Sequence, residues 1–298
     1  MRLLLEANGP FDYRHTWRYW RRVPGEIVDV FEDECYSRVL HVGDKDILVH
    51  VKPLERSRQK LEATCGELNP KETEELERML CRVFNLALDL KSFYAFARDH
   101  ELLFRATREM YGFRPPCFPT LFEGIVSTIL GQQVNVRFAL DVKRRLVERY
   151  GRTLNYEGMT HHCFPLPESF ASASVNELRA LLVSRQKAGY ITGVARLFIE
   201  DKIDEEKVRA MTDEQILNSL MSIKGVGKWT AEYLMIRCLG RSSAIPAADT
   251  AMRAAFKYFF RLEQAGEEDV RRLSENWGNW KGIAGFYLRS TYHKTIDK

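Results

Sequence analysis

The chain has 298 residues, 45% of them apolar, with 45 Lys and Arg against 41 Asp and Glu for a formal net charge of +4. That length supports two or three compact units rather than one core, and so mild a charge does not by itself announce a nucleic-acid partner. The six cysteines (Cys35, Cys65, Cys81, Cys117, Cys163 and Cys238) form no C-x-x-C pair and no zinc spacing, which excludes a sequence-legible disulfide framework and fits a reducing compartment.

Met1-Arg-Leu-Leu-Leu-Glu6 is too short and too quickly charged for a secretory signal, and no apolar run is long enough to span a membrane. A cytoplasmic, nucleoid-associated protein that makes no membrane contact is expected. Arg14-His-Thr-Trp-Arg-Tyr-Trp-Arg-Arg22 mixes cations with aromatics, a composition able to touch nucleic acid. Its alternation is read as a strand with inward aromatics, and no function is assigned to it. Glu26–Phe31, Ser37–Val42 and Asp46–Val51 are short β-branched or alternating runs separated by turn residues such as Gly43-Asp44. They predict an antiparallel sheet, with residues 70–82 as a helix packed on it. An α+β domain over 1–90 is therefore expected, followed by a mostly α-helical region over 91–298.

Within that region, residues 121–151 read as two helices joined by a Gly131-Gln132-Gln133 turn. The second and the residues just after it carry Arg137, Lys143, Arg144, Arg145, Arg149 and Arg152 against only Asp141 and Glu148. Thr212 and Gln215 form a capping-box pattern that starts a helix at Asp213, with Ile216, Leu217, Leu220 and Met221 as its buried stripe. Lys224-Gly225-Val226-Gly227-Lys228 follows. Its glycines permit a tight reversal, and a new helix begins near Lys228 with Gly240 as its stop. The unpaired N–H groups at that helix start favour an anion, and Lys224 and Lys228 add charge. A tight connection between two packed helices is the plainer alternative. Asp249 precedes Thr250-Ala-Met-Arg-Ala-Ala-Phe256 and reads as an N-cap; a capping carboxylate is also rigidly held and can serve chemistry.

Together these motifs resemble the HhH-GPD superfamily of DNA base-excision glycosylases, and within it the AlkA-like 3-methyladenine DNA glycosylase II family. Residues 121–151, Phe164–Glu168, 172–190 and Trp277-Gly-Asn-Trp-Lys-Gly-Ile-Ala284 resemble further family segments, the last with a proline and an arginine of the family pattern replaced. The resemblance covers about residues 85–290. It implies a two-lobed helical core with Asp249 at the cleft as the catalytic acid and Trp229 and Tyr233 as an aromatic wall for a flipped base. It implies DNA contacts at Gln132, Gln133, Lys224, Gly225, Gly227, Lys228 and Thr230. Gln133 stands where some relatives carry an apolar wedge; its amide could pair with the orphaned base or cap the preceding helix. Arg289 stands where some relatives have another aromatic.

Relatives that also cleave the strand carry a lysine nucleophile where this chain has Trp229. Lys228, one residue earlier, is turned by about 100° on the helix, which suits a phosphate contact. The resemblance thus implies simple hydrolysis of the N-glycosidic bond of alkylated purines in double-stranded DNA, by a monomer that requires no cofactor. The iron–sulfur cluster of some relatives is excluded because no cysteine follows Cys238. A monovalent cation on the hairpin carbonyls, found in some relatives, stays open. Two alternatives remain at this stage: a glycosylase with lyase activity on oxidised purines, and a non-catalytic DNA-binding module.

Overall fold

In the computed structural model, residues 1–20, 25–54 and 59–296 are described. The N-terminal region builds a five-stranded antiparallel sheet in the order β1-β5-β4-β3-β2. Its strands are β1 (Arg2–Glu6), β2 (Val30–Glu32), β3 (Cys35–Val42), β4 (Lys45–Pro53) and β5 (Lys60–Thr64). The Gly43 turn sets the β3–β4 register, with Val42 opposite Lys45 and Tyr36 opposite Val51. The expected strand from Glu26 contracts to Val30–Glu32. The Glu26 carboxylate accepts the N–H groups of Ile27 and Val28, both at 3.0 Å, and bends the chain before pairing begins. Helix α2 (Pro70–Val83) starts on a capping box between Asn69 and Glu72 and packs Leu76, Leu80 and Val83 under the sheet.

One reading is corrected here. The aromatic–basic segment is a helix, α1 (Tyr13–Trp20), not a strand; Arg21 and Arg22 lie outside the described residues. Asp12 begins it by accepting from the N–H of Arg14 (2.8 Å) and His15 (3.1 Å). Tyr13, Trp17 and Trp20 then join the sheet core at helical spacing.

The helical region has two cores. One is built by α3 (Leu90–Ala97), α4 (Glu101–Glu109), α13 (Thr250–Phe259), α14 (Glu267–Ser274) and α15 (Lys281–Ile296). The other lies between them in sequence. It contains α5 (Leu121–Gly131), α6 (Val136–Tyr150), α7 (Pro167–Ala171), α8 (Val175–Ala180), α9 (Arg185–Ile199), α10 (Glu205–Ala210), α11 (Asp213–Met221) and α12 (Lys228–Arg237). The chain therefore enters one lobe, completes the other, and returns. A small hairpin, β6 (Thr153–Tyr156) with β7 (Met159–His162), interrupts the helices. Just beyond it Cys163 packs on Val39 and Leu48 of the sheet.

A buried ionic cluster fastens the sheet to the second core. Arg38, 3% exposed, pairs with Asp29 at 2.7 Å and with Glu123 on α5, also 3% exposed. Lys143 on α6 reaches Glu26 at 2.8 Å and Glu123 at 3.9 Å. Charges so deep persist only when paired.

Candidate active-site cleft and nucleic-acid interface

The hairpin between α11 and α12 forms as its sequence dictates. Thr212 and Gln215 cap each other reciprocally, and Ile216 and Leu220 bury the helix stripe. Of the two glycines, Gly225 alone needs its special backbone, at φ +96°, whereas Gly227 has an extended φ of −86° that any residue adopts. Gly227 is the N-cap of α12 and offers no side chain to the first N–H groups; a Cβ added there would meet nothing. The helix start is thus left open to an anion. Lys224 and Lys228 are exposed on a cleft of about 660 Å³ that runs along the hairpin.

A Cβ at position 225 would lie 2.5 Å from the Tyr190 ring. Gly225→Ala is therefore expected to cost about 1–3 kcal/mol through left-handed strain and this overlap. Thermal unfolding measures the loss. Adding Tyr190→Ala should relieve only the steric share, and an unchanged midpoint in the single variant would refute the argument.

From α12 the chain passes through Ser242–Ala247 and reaches Asp249 at the start of α13. That loop is pressed against α15: Gly282 N–H donates to the Ser242 carbonyl at 2.8 Å, and a side chain at Gly282 would collide with the Ala244 carbonyl. Asp249 is the N-cap, its Oδ1 accepting from Met252 N–H at 2.9 Å. It also lines a cavity of about 1150 Å³ with Trp229, Tyr233, Gln133, Arg237 and Arg289. Trp229 and Tyr233 stack with ring centroids 5.8 Å apart and planes at 30°. The indole N–H of Trp229 is buried with no hydrogen-bond acceptor among the described residues. Lys228 lines the hairpin cleft and is not among the residues that line the Asp249 cavity.

The floor of this cavity was not legible beforehand. Arg237 donates to the hydroxyls of Tyr233 (2.8 Å) and Tyr19 (2.9 Å), and Arg289 donates to Tyr19 at 3.1 Å. Arg289 also approaches Asp249, Nε to Oδ1 at 4.0 Å, and lies over the rings of Tyr19 and Phe286. Burial pushes the Tyr233 phenol up to about 12, so it stays protonated and can accept from Arg237 while keeping its own proton. Tyr19 comes from the segment given no function. Its helical spacing with Tyr13 and Thr16 was the available signal, but the partners are far along the chain.

Gln132 and Gln133 both line the hairpin cleft but differ in exposure and partners. Gln133 is exposed at φ +56° and lines both clefts. Gln132 is half-buried and its amide donates to Gly225 O (2.9 Å) and to Thr230 Oγ1 (3.1 Å), so the Thr230 hydroxyl also points inward. Most of the cations counted on α6 and just beyond it are already paired. Arg144 and Arg145 bind Asp141, Arg144 also binds Glu148, Arg152 binds Asp46, and Lys143 faces the buried cluster.

The profile of the Tir chaperone protein (CesT) family matches residues 31–129, a stretch that begins inside the sheet and ends inside α5 and so corresponds to no unit of this fold. The DNA-3-methyladenine glycosylase of Bacillus subtilis (strain 168) is 29% identical over 282 residues, 93% of each chain. DNA-3-methyladenine glycosylase 2 of Escherichia coli (strain K12) is 26% identical over 285 residues, 95% of each. The solved 3-methyladenine DNA-glycosylase from Archaeoglobus fulgidus superposes with a TM-score of 0.86 at 24% identity, covering 99% of each chain, which establishes the likeness of fold. The profile described as "HhH-GPD superfamily base excision DNA repair protein" matches residues 126–279. That match spans over half of the chain and takes in the glutamine turn, the hairpin and Asp249: the chain belongs to the HhH-GPD superfamily.

Proposed function

We propose that this protein is a monofunctional DNA glycosylase that hydrolyses the N-glycosidic bond of alkylated purines, of the 3-methyladenine type, flipped out of double-stranded DNA. The observation that carries the reading is the cleft itself, lined by the capped Asp249 and the stacked Trp229–Tyr233 pair; its other carboxylates, Glu26 and Asp29, are paired with Lys143 and Arg38, and among the described residues Lys143 is the only lysine that lines it. The names of relatives aligned over nearly the full chain support the same substrate class.

In this reading, the hairpin's open helix start, with Lys224 and Lys228, grips phosphate and sets the register without reading bases. The target nucleotide leaves the stack and its base lies against Trp229. As the glycosidic bond breaks, its electron pair departs with the base and positive charge develops on the sugar. Asp249, held by its cap to Met252, stabilises that charge across a short gap from which water is largely excluded. A cationic purine that takes this electron pair leaves neutral; water then adds to the anomeric carbon and passes one proton to Asp249, which releases it to solvent. Water, lesion and Asp249 balance the reaction, so no cofactor enters it. The rings attract a cationic base, whereas Arg237 and Arg289 at the floor favour hydrogen-bond acceptors on it. A monomer suffices for this chemistry.

The test scores base release and strand breakage separately on duplexes bearing methylated purines. Release with strands intact until alkali is added supports the reading; direct breaks favour a lyase, and no release removes the substrate class. Trp229→Ala should lower single-turnover excision roughly tenfold or more, since stacking on one base contributes about 1–3 kcal/mol. Excision unaffected by that change would remove Trp229 from the base pocket.

A further inference from the structure

The two loops proposed to engage DNA come from distant parts of the chain, and one half-buried side chain joins them. The two N–H bonds of the Gln132 amide are both used, one on the Gly225 carbonyl at 2.9 Å and one on Thr230 Oγ1 at 3.1 Å. The turn that carries Gln132 is tied down a second time. Lys187 on α9 donates to the Leu130 carbonyl at 2.8 Å and to the Gln132 carbonyl at 2.6 Å, closing the C-terminus of α5 with a cation. Burial lowers the pKa of Lys187 from the ordinary lysine value, so its ammonium depends on those carbonyls. Three residues further along α9, Tyr190 packs against Gly225 so closely that no side chain fits there. Between these fastenings Gln133 is held at φ +56°, a backbone conformation unfavourable to a residue with a side chain, and projects outward.

We infer that Gln132 and Lys187 are positioning residues that weld the Gln133 turn to the hairpin, so that the phosphate grip and the residue facing the flipped nucleotide move as one rigid unit. Gln132 acts through its neighbours and does not itself touch DNA. The hydrogen bonds support this division: Gln132 and Gln133 both line the hairpin cleft, but the Gln132 amide is spent on protein acceptors in its wall, whereas Gln133 is exposed and also lines the Asp249 cavity. A phosphate bound at the start of α12 then fixes where Gln133 stands relative to the same strand. The inference rests on the reading of this cleft as the place that receives a flipped nucleotide.

The experiment measures binding and excision together. Binding compares an undamaged duplex with one carrying a tetrahydrofuran abasic analogue, which requires the turn to engage but no chemistry. Excision compares a methylated purine paired in a duplex with the same base in a bulge, where extrusion is largely complete. Gln132→Ala should reduce the preference for the abasic duplex about tenfold, equivalent to about 1.4 kcal/mol. It should slow excision from the paired duplex to a similar extent and from the bulge less than about twofold. Affinity for undamaged DNA should fall by a smaller factor than affinity for the abasic duplex, and adding Gln133→Ala should give little further loss, because the two act in series. Lys187→Met should resemble Gln132→Ala, and Lys187→Arg, which keeps a donor for both carbonyls, should restore most of the preference.

An equal loss of affinity for undamaged and abasic duplexes, with additive loss in the double variant, would overturn the inference and make Gln132 a direct contact. Equal losses on paired and bulged substrates would reduce it to general destabilisation, as would failure of Lys187→Arg to rescue. If the unaltered protein prefers the abasic duplex but releases no base, the excision reading fails while the positioning inference is still decided by binding.

Discussion

Asp249→Asn should abolish most base release while leaving the fold and DNA binding intact. Asparagine is as good an N-cap as aspartate, and its side-chain oxygen can still accept from Met252 N–H, now at 2.9 Å from Asp249 Oδ1. The charge facing Arg289 at 4.0 Å is lost as well, so stability should fall by about 1 kcal/mol, within the ordinary range for one substitution. What disappears is the negative charge facing the sugar. Loss of one preorganised group that stabilises transition-state charge costs on the order of 10²–10³ in rate, and loss of a full charge belongs at the upper end or beyond. Single-turnover release of methylated purines at saturating enzyme measures this directly, with thermal unfolding as the control. A variant that binds abasic duplex normally but retains more than about a tenth of the rate would show that Asp249 is only a cap. In that event the cleft would need another source of stabilisation for the sugar.

The second large effect is on stability. Arg38→Met removes the cation between Asp29 and Glu123 and leaves two carboxylates inside the seam between sheet and helices. Breaking a buried pair by deleting one partner costs about 3–5 kcal/mol, which for a protein of this size lowers the unfolding midpoint by roughly 10 °C. Burial already pushes the Glu123 carboxyl above its ordinary value, against the pull of Arg38 and Lys143. Without Arg38 it should rise further. A carboxyl whose folded pKa exceeds its unfolded value takes up its proton more readily when folded, so stability recovers as pH falls towards the unfolded value. The deficit should therefore be larger at pH 8 than at pH 5, and Arg38→Met with Glu123→Gln should regain part of it. Urea unfolding at the two pH values checks both points. A pH-independent deficit, or a loss below about 1 kcal/mol, would mean that the cluster contributes little net energy.

Local features were legible wherever neighbouring residues settle the outcome. The start of α11 follows from Thr212 and Gln215, which cap each other. The reversal at the hairpin follows from Gly225, whereas Gly227 has backbone angles open to any residue and free space where a Cβ would stand. The β3–β4 hairpin follows from alternating residues on either side of Gly43. The segment at Tyr13–Trp20 went the other way because alternating aromatics also satisfy helical spacing, and the Asp12 cap decides between the two. Strands β1 and β5 were missed because each is short and gains definition only by pairing with the other, Leu3 opposite Ala63 and Leu5 opposite Leu61.

By itself, the sequence determined the hairpin, the capped acid at Asp249, the aromatic pair four residues apart and the succession of sheet and helices. Each depends on hydrogen bonds and spacings within a few residues, so the order of amino acids is enough. Only the tertiary structure decided what stands around them. Tyr19 meets Arg237 and Arg289 at the cavity floor, Gln132 turns inward to Gly225 and Thr230, and Arg38 closes on Glu123. Such partners are separated by tens to hundreds of residues, and nothing in the local chain selects among the acceptors available to a buried guanidinium or amide. That choice is made by packing, which decides which distant groups come within reach of each buried polar side chain.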